Sequence, residues 1–163
     1  MKSIFFLLLF FTTMSIAQNS NYKFQHTEKT TAPPAAIWKV WTDVPNWSNW
    51  DTGLKSAELE GEFGEGAKGK LIPDKGPKSK FMITEVIPGQ SYLLKTKIPF
   101  GWLKVQRTME IKDGELHFTH AVEFTGILKN ILGKKFGTRY REMLPEVMIS
   151  IKKIAEENQV YNR

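Results

Sequence analysis

The sequence predicts an α+β domain in which a curved seven-stranded antiparallel sheet wraps around a long C-terminal helix, with two short helices after the first strand. Two observations predict this arrangement. Turn residues separate six strand-like runs at hairpin-length gaps between residues 54 and 124, and gaps that short require antiparallel pairing. After Phe124, apolar residues recur at three- and four-residue steps, which is the helical period. One amphipathic helix must then cover one face of the sheet.

The N-terminal part of the domain combines one strand with two helical segments. Residues Tyr22–Thr30 alternate in polarity as a strand does, and Pro33-Pro34 then suits the first turn of a helix. We expect the first helix over Ala35–Trp41 and the second over Pro45–Trp50. These helices carry four tryptophans: Trp38, Trp41, Trp47 and Trp50. The tryptophans either plug the open end of the sheet, the interpretation that we favour, or form a cavity mouth or a stacking platform.

Six further strands are expected along the middle of the chain. They are Leu54–Leu59, Ala67–Pro73, Lys80–Ile87, Ser91–Lys97, Leu103–Lys112 and Glu115–Phe124. Asp113-Gly114, between the last two alternating runs, is the strongest hairpin signal in the sequence. The last two strands therefore form a tight hairpin.

The C-terminal segment has one apolar stripe in two parts, Ile127–Phe136 and Tyr140–Ala155. Gly133 and Gly137 lie between these parts and predict a bend or a break. Pro145 lies inside the second part, where a proline is expected to kink the helix or restart it.

The final hairpin places two polar side chains on the inner face of the sheet. Arg107 shares one face of its strand with four apolar residues, and the opposite face is polar, so Arg107 points inward. His120 lies on the apolar face of the next strand, and a tight turn at Asp113-Gly114 sets it opposite Arg107. Either the pair holds a ligand carboxylate, phosphate or carbonyl at a cavity wall, or Arg107 reaches the rim and His120 bonds to backbone or water.

Residues 1–17 have the anatomy of a secretory signal peptide. Lys2 provides a positive start, an unbroken apolar run begins at Ile4, and small residues precede a cleavage position after Ala17. The run is too short to span a membrane, which takes about 20 apolar residues. We expect export to the periplasm or the medium and a mature chain from near Gln18, with an uncleaved anchor as the alternative.

Composition limits the chemistry that this chain of 163 residues can perform. The length favours a single domain, placed at residues 18–163. The absence of cysteine excludes disulfides, a thiol nucleophile and a thiolate zinc site. His117 and His120 face opposite sides of one strand and do not share a metal, so we expect neither a metal nor a cofactor. The net charge of +6 permits an acidic partner, but we expect no nucleic acid partner for an exported chain.

Four groups of residues and a closing helix occur in a characteristic order. They are Ile37-Trp38-x-Val40-Trp41-x-Asp43-x-x-x-Trp47-x-x-Trp50-Asp51, Gly61-x-Phe63-x-x-Gly66-x-x-Gly69-x-Leu71, Phe81-x-Ile83-x-Glu85-Val86-x-Pro88-Gly89, Thr119-His120-x-Val122-x-x-Thr125-Gly126 and the helix from Leu144-Pro145 to Ala155-Glu156. Together they resemble the START-like (SRPBCC) superfamily in its polyketide cyclase/dehydratase-like branch. The resemblance covers about residues 22–158.

The resemblance implies a helix-grip fold with an internal cavity for apolar ligands. It implies little about a reaction, because the superfamily mixes lipid carriers, hormone-type binders and cyclases. Relatives often carry a histidine before the Leu-Glu pair of the sixth strand, whereas this chain has Arg107 before Met109-Glu110. Chemistry that relies on that histidine is therefore not expected here.

We expect an exported soluble protein that binds a hydrophobic or amphiphilic small molecule, lipid-like or polyketide-like, in its interior. Arg107 and His120 are expected to orient the ligand. The expected apolar wall is Phe81, Ile83, Leu103, Val105, Met109, Phe118, Val122, Leu144, Val147 and Ile151. A non-catalytic binder is favoured. The alternatives are a cyclase or dehydratase, in which His120 is the general acid/base and Arg107 stabilises an oxyanion, and an interaction module that uses the Trp-rich end.

Two surface features suggest weak contact with an anionic membrane. Phe100-Gly101-Trp102 places an apolar pair at a glycine and is either a lid, a membrane contact or an ordinary packed loop. Two basic clusters, which are either solvated surface or contacts for lipid head groups, accompany it: Lys75, Lys78 and Lys80, and Lys134, Lys135, Arg139 and Arg141.

Overall fold

The computed structural model describes residues 20–160, and the predicted signal peptide, residues 1–17, lies outside the described residues. The strands are β1 (Lys23–Thr30), β2 (Leu54–Glu60), β3 (Lys68–Pro73), β4 (Ser79–Ile87), β5 (Ser91–Ile98), β6 (Gly101–Lys112) and β7 (Glu115–Phe124). A helix α1 (Pro34–Thr42) and a short 3-10 helix (Val44–Asn49) follow β1, and the helix α2 (Lys129–Val160) follows β7. The predicted fold class is confirmed, and each predicted strand lies within two residues of its observed bounds.

The seven strands form one antiparallel sheet in the order β1-β7-β6-β5-β4-β3-β2. The strands from β2 to β6 each pair with the next one along the chain, while β1 crosses over to pair with β7. At the β6–β7 turn, Asp113 and Gly114 both have positive φ, as a tight two-residue hairpin requires. This turn sets the register that places Arg107 directly opposite His120, as predicted.

The helix α2 runs without interruption through Gly133, Gly137 and Pro145, so the predicted break and restart are wrong. The two glycines instead allow α2 to approach the first strand. A Cβ on Gly137 would lie 2.9 Å from the ring of Phe24, and one on Gly133 would overlap the carbonyl of Asn21. The glycines therefore serve close packing between helix and strand, a use that periodicity does not distinguish from a break.

Three of the four tryptophans are core residues, as the packing interpretation predicts. Trp41, Trp47 and Trp50 are each no more than 2% exposed, and only Trp38 is half-buried. Trp41 packs edge to face against the rings of Tyr92 and Phe118. The exposed aromatic patch that the interaction-module alternative requires is therefore not formed by these three residues.

Neither helix in the part of the chain that the structure describes combines the length and apolar character needed to cross a membrane.

Candidate functional site

A cavity of about 310 Å³ lies between the inner face of the sheet and the first half of α2. This volume is at the lower end of the range of about 300–1,000 Å³ that is typical of small-molecule sites. Its apolar lining comes from Trp47, Leu54, Leu71, Pro73, Leu94, Ile98, Leu103, Val105, Val122, Phe124, Phe136 and Met143. The polar lining comes from Asp51, Lys75, Ser79, Arg107, His120, Arg139 and Tyr140. The cavity thus joins a mostly apolar wall to a few polar groups.

The structure brings five of the predicted site residues to this cavity: Leu103, Val105, Arg107, His120 and Val122. The other seven do not line it: Phe81, Ile83, Met109, Phe118, Leu144, Val147 and Ile151. The prediction that these seven residues form the cavity wall is wrong. They are core residues, because all seven are buried against other side chains. The second half of α2 packs in the same core as Trp41, Tyr92 and Phe118, which we call the aromatic cluster. The cavity remains only beneath the first half of α2.

Arg107 is 3% exposed and is enclosed by aromatic rings. Its guanidinium carbon lies 4.8 Å from the ring centre of Trp47 and 4.7 Å from that of Trp50. Its Nη1 donates a hydrogen bond to the Tyr92 hydroxyl, which in turn donates to the carbonyl of Trp41 at 3.2 Å. Cation–π contact and this hydrogen-bond chain offset part of the cost of burying the charge.

No carboxylate in the described part of the chain lies within ion-pair distance of Arg107, although Asp51 is close enough to feel its charge. None of the ion pairs there involves Arg107, and its Nε is buried without a hydrogen-bond partner. A buried guanidinium with unused donors is expensive unless another group completes it. Because its hydrogen-bond donors are incompletely paired, Arg107 is the polar group of the site that is best suited to bind a ligand.

His120 faces Arg107 across the hairpin and is equally buried. Burial, reinforced by the positive charge of Arg107, holds the pKa of His120 well below its ordinary value. The imidazole is therefore neutral near pH 7, and its Nδ1 has no hydrogen-bond partner among the described residues. A neutral imidazole beside a fixed cation can accept or donate one hydrogen bond to a ligand without adding charge.

Five polar residues of the cavity were not among the predicted site residues: Asp51, Lys75, Ser79, Arg139 and Tyr140. Burial raises the pKa of Asp51, while the Gly53 amide, Arg107 and Arg139 oppose that rise. Burial also raises the pKa of Tyr140 to about 12. Asp51 is the last residue of the motif that begins at Ile37, and its place in that motif was the one feature of the sequence that pointed to a role for it. Tyr140 was recognised only as a member of the apolar stripe of α2.

Comparison with known proteins identifies the family. Residues 22–148 match the family described as polyketide cyclase / dehydrase and lipid transport. The chain belongs to this family. No curated protein matches the chain.

Solved structures share the fold of this family member at low sequence identity. The protein NE0264 of Nitrosomonas europaea is 10% identical, with 88% of this chain and 99% of that chain covered and a TM-score of 0.67. The protein TTHA0849 of Thermus thermophilus is also 10% identical, with 83% and 98% covered and a TM-score of 0.65. The Aha1 dimer of Colwellia psychrerythraea is 14% identical, with 82% and 96% covered and a TM-score of 0.62. At such identities these likenesses show the helix-grip fold alone.

The pKa of His120 predicts how the stability of this family member depends on pH. Below about 6.5, the ordinary value, the unfolded chain protonates this imidazole while the folded chain keeps it neutral, so unfolding takes up a proton. Because of His120, the free energy of unfolding should therefore fall by as much as about 1.4 kcal/mol for each unit by which the pH is lowered in this range. Denaturant titrations between pH 7 and pH 5 measure the effect. In the variant His120→Gln, the free energy of unfolding should depend less steeply on pH. An unchanged dependence would refute the lowered pKa of His120.

Proposed function

We propose that the protein binds a hydrophobic or amphiphilic small molecule in the cavity beneath α2. The observation that carries this proposal is an apolar wall that ends at the buried pair Arg107 and His120. Apolar contact with Val105 and Val122 would supply most of the binding energy, and the polar pair would orient the ligand. Membership of a family whose description includes lipid transport supports the same conclusion.

The catalytic alternative, a cyclase or dehydratase, is favoured by one feature, namely a histidine beside a fixed cation at the cavity wall. It is disfavoured by the lowered pKa of His120, since a general acid/base works best with a pKa near the operating pH. The variant His120→Ala separates the two functions. An enzyme would lose turnover while keeping most of its affinity for the ligand, whereas a carrier has no turnover to lose.

Mass spectrometry of material extracted from protein purified from its native source tests the binding proposal. We expect an apolar or amphiphilic compound at a fixed stoichiometry. The variant Gln106→Phe, with a new ring on the outer face of β6, should copurify with the same compound. Failure to recover any compound, together with failure of the purified protein to bind neutral apolar probes, would overturn the proposal.

We also propose that the chain is exported and cut after Ala17. The support is the order of charge, apolar run and small residues in the first 17 positions. Expression of the full chain in a Gram-negative host, followed by fractionation and intact-mass measurement, tests the proposal. A mass that corresponds to a start at Gln18, found outside the cytoplasm, is expected. A full-length chain in the cytoplasm would contradict it.

Four apolar side chains lie exposed beside the cavity, on two adjoining loops and the elements that follow them: Phe100 at 74%, Trp102 at 40%, Ile127 at 85% and Ile131 at 64%. Phe100 and Ile127 are in the loops, Trp102 is near the start of β6, and Ile131 is in the first turn of α2. We call this group the tip. The loops are joined by hydrogen bonds from the Ile127 amide to the Phe100 carbonyl at 3.3 Å and from the Thr125 amide to the Trp102 carbonyl at 2.8 Å. Ile98 and Leu103, which flank the β5–β6 loop, line the cavity. The tip therefore adjoins one end of the cavity.

The two chain segments that carry the tip are basic in sequence. No Asp or Glu occurs from Val86 to Met109 or from Phe124 to Arg141, and these two segments contain nine Lys and Arg residues. Exposed apolar side chains within a basic surface are typical of proteins that touch anionic lipid head groups. We propose that the tip contacts an anionic membrane surface, from which a ligand would reach the adjoining cavity.

Binding to lipid vesicles should depend on the tip. The double variant Phe100→Asp/Ile127→Asp is expected to weaken binding to phosphatidylglycerol-containing vesicles at least about tenfold, because it removes apolar contact and adds negative charge. The control is Ile111→Asp, at an equally exposed position beside the β6–β7 turn. Cosedimentation measures the affinities, with phosphatidylcholine vesicles as the neutral surface. Equal loss in both variants, or equal binding to both vesicles, would contradict the proposal.

A further inference from the structure

We propose that the ligand of the cavity carries an anionic head group, a carboxylate or a phosphate, which binds at Arg107. This inference deepens the proposed function and rests on it. The sequence alone did not distinguish an anionic head group from a neutral carbonyl group. The charges around the cavity decide between the neutral and the anionic head group.

The charged side chains that line the cavity are unequal in number. Lys75, Arg107 and Arg139 are cationic, and Asp51 is the one acid among the lining residues. His120 stands directly opposite Arg107 and adds no charge to this sum, because its imidazole is neutral near pH 7. The lining therefore has an excess of positive charge, which a negative group on the ligand would balance.

Arg107 is the member of this set that water reaches least. It is almost fully buried, it forms no ion pair at contact distance with a carboxylate among the described residues, and its Nε has an unused proton. The rings of Trp47 and Trp50 stabilise the cation but accept no conventional hydrogen bond. An oxyanion is the group that satisfies both the charge and the donors of a guanidinium. Nδ1 of His120, also without a partner, is an additional hydrogen-bonding group at the same place.

Asp51 lies on the same cavity and opposes an anionic ligand. Its Oδ1 accepts a hydrogen bond from the Gly53 amide at 2.9 Å, which fixes the carboxyl group in the lining. A carboxylate here repels a second anion, and removal of its charge should therefore strengthen binding of the head group. The variant Asp51→Asn retains an oxygen that can accept from the Gly53 amide, removes the charge and replaces the second oxygen with an NH2 group. Asp51 is thus expected to limit the affinity for anions.

Displacement of a neutral fluorophore, N-phenyl-1-naphthylamine, tests the inference on the whole mature protein. The competitors are four ten-carbon amphiphiles that differ in the head group: decanoate, decyl phosphate, 1-decanol and decylamine. We expect decanoate or decyl phosphate to displace the fluorophore at a concentration about tenfold lower than decanol, and decylamine to be weakest. The better of the two anions identifies the head group. Asp51→Asn should raise the affinity for that anion severalfold and leave decanol unchanged.

The outcomes separate this inference from the proposed function. If decanol and the anions compete equally, the anionic head group is refuted while binding in the cavity stands. If neither the fluorophore nor any amphiphile binds, the proposed function fails and this inference fails with it. Arg107→Gln should abolish the preference for anions. Loss of the cation between Trp47 and Trp50 can unfold the chain. If Arg107→Gln does not fold, the effect of Asp51→Asn on the affinity for the anion tests the inference instead.

Discussion

Replacement of Val105 with phenylalanine is expected to weaken ligand binding about a hundredfold and to leave the chain folded. Val105 lies on β6 in the cavity wall and pairs across the sheet with Leu94 and Val122, which also line the cavity. A phenyl ring there would occupy space that the ligand needs. Loss of about 100 Å² of apolar contact costs about 2.5 kcal/mol, which corresponds to nearly two orders of magnitude in affinity.

The measurement is fluorophore or ligand titration, combined with denaturant unfolding to show that the variant is folded. The control is Gln106→Phe, which introduces the same side chain at the next position of β6, on the exposed outer face. That variant should bind as the parent does. If Val105→Phe retains full affinity, the ligand does not occupy this cavity, and the proposed site is wrong.

Truncation of Trp41 to alanine is expected to cause the largest loss of stability, about 3–5 kcal/mol. Trp41 is fully buried, and its ring packs against Tyr92 and Phe118. Its backbone carbonyl accepts hydrogen bonds from the Trp47 indole and the Tyr92 hydroxyl, so a shift of this residue would also disturb the support of Arg107. Denaturant unfolding monitored by circular dichroism measures the change.

The variant Trp41→Phe is the matched control for packing. The Trp41 Nε1 is buried without a hydrogen-bond partner among the described residues, so its removal relieves an unsatisfied donor. We therefore expect the phenylalanine variant to lose much less stability than the alanine variant. Equal losses would show that volume and aromatic contact at this position are not what stabilises the core.

The sheet could be predicted in detail because its determinants are local. Alternating polarity defined each strand, and the Asp113-Gly114 turn alone determined the register that sets Arg107 opposite His120. The continuity of α2 could not be predicted in the same way. Gly133 and Gly137 were interpreted as a bend or a break because their role depends on Asn21 and Phe24, which lie far away along the chain. Close packing between distant segments leaves no periodic signal.

The candidate site was only partly predictable for a related reason. Inward orientation of Leu103, Val105 and Val122 follows from strand alternation, and all three line the cavity. Orientation alone does not reveal how far the helix stands from the sheet at each position. Val147 and Ile151 therefore appeared equivalent to cavity residues, although the aromatic cluster fills the space beside them. The enclosure of Arg107 by Trp47 and Trp50 could not be predicted, because it depends on the three-dimensional path of the short 3-10 helix.

The place of β1 in the sheet has a consequence for biosynthesis. This strand is the first to emerge from the ribosome, yet its one partner in the sheet is β7, roughly a hundred residues later. Closure of such a long loop is entropically costly and must wait for nearly the entire chain. A chain that lacks Glu115–Phe124 therefore leaves both edges of β1 unpaired, and the sheet cannot be completed until β7 is available.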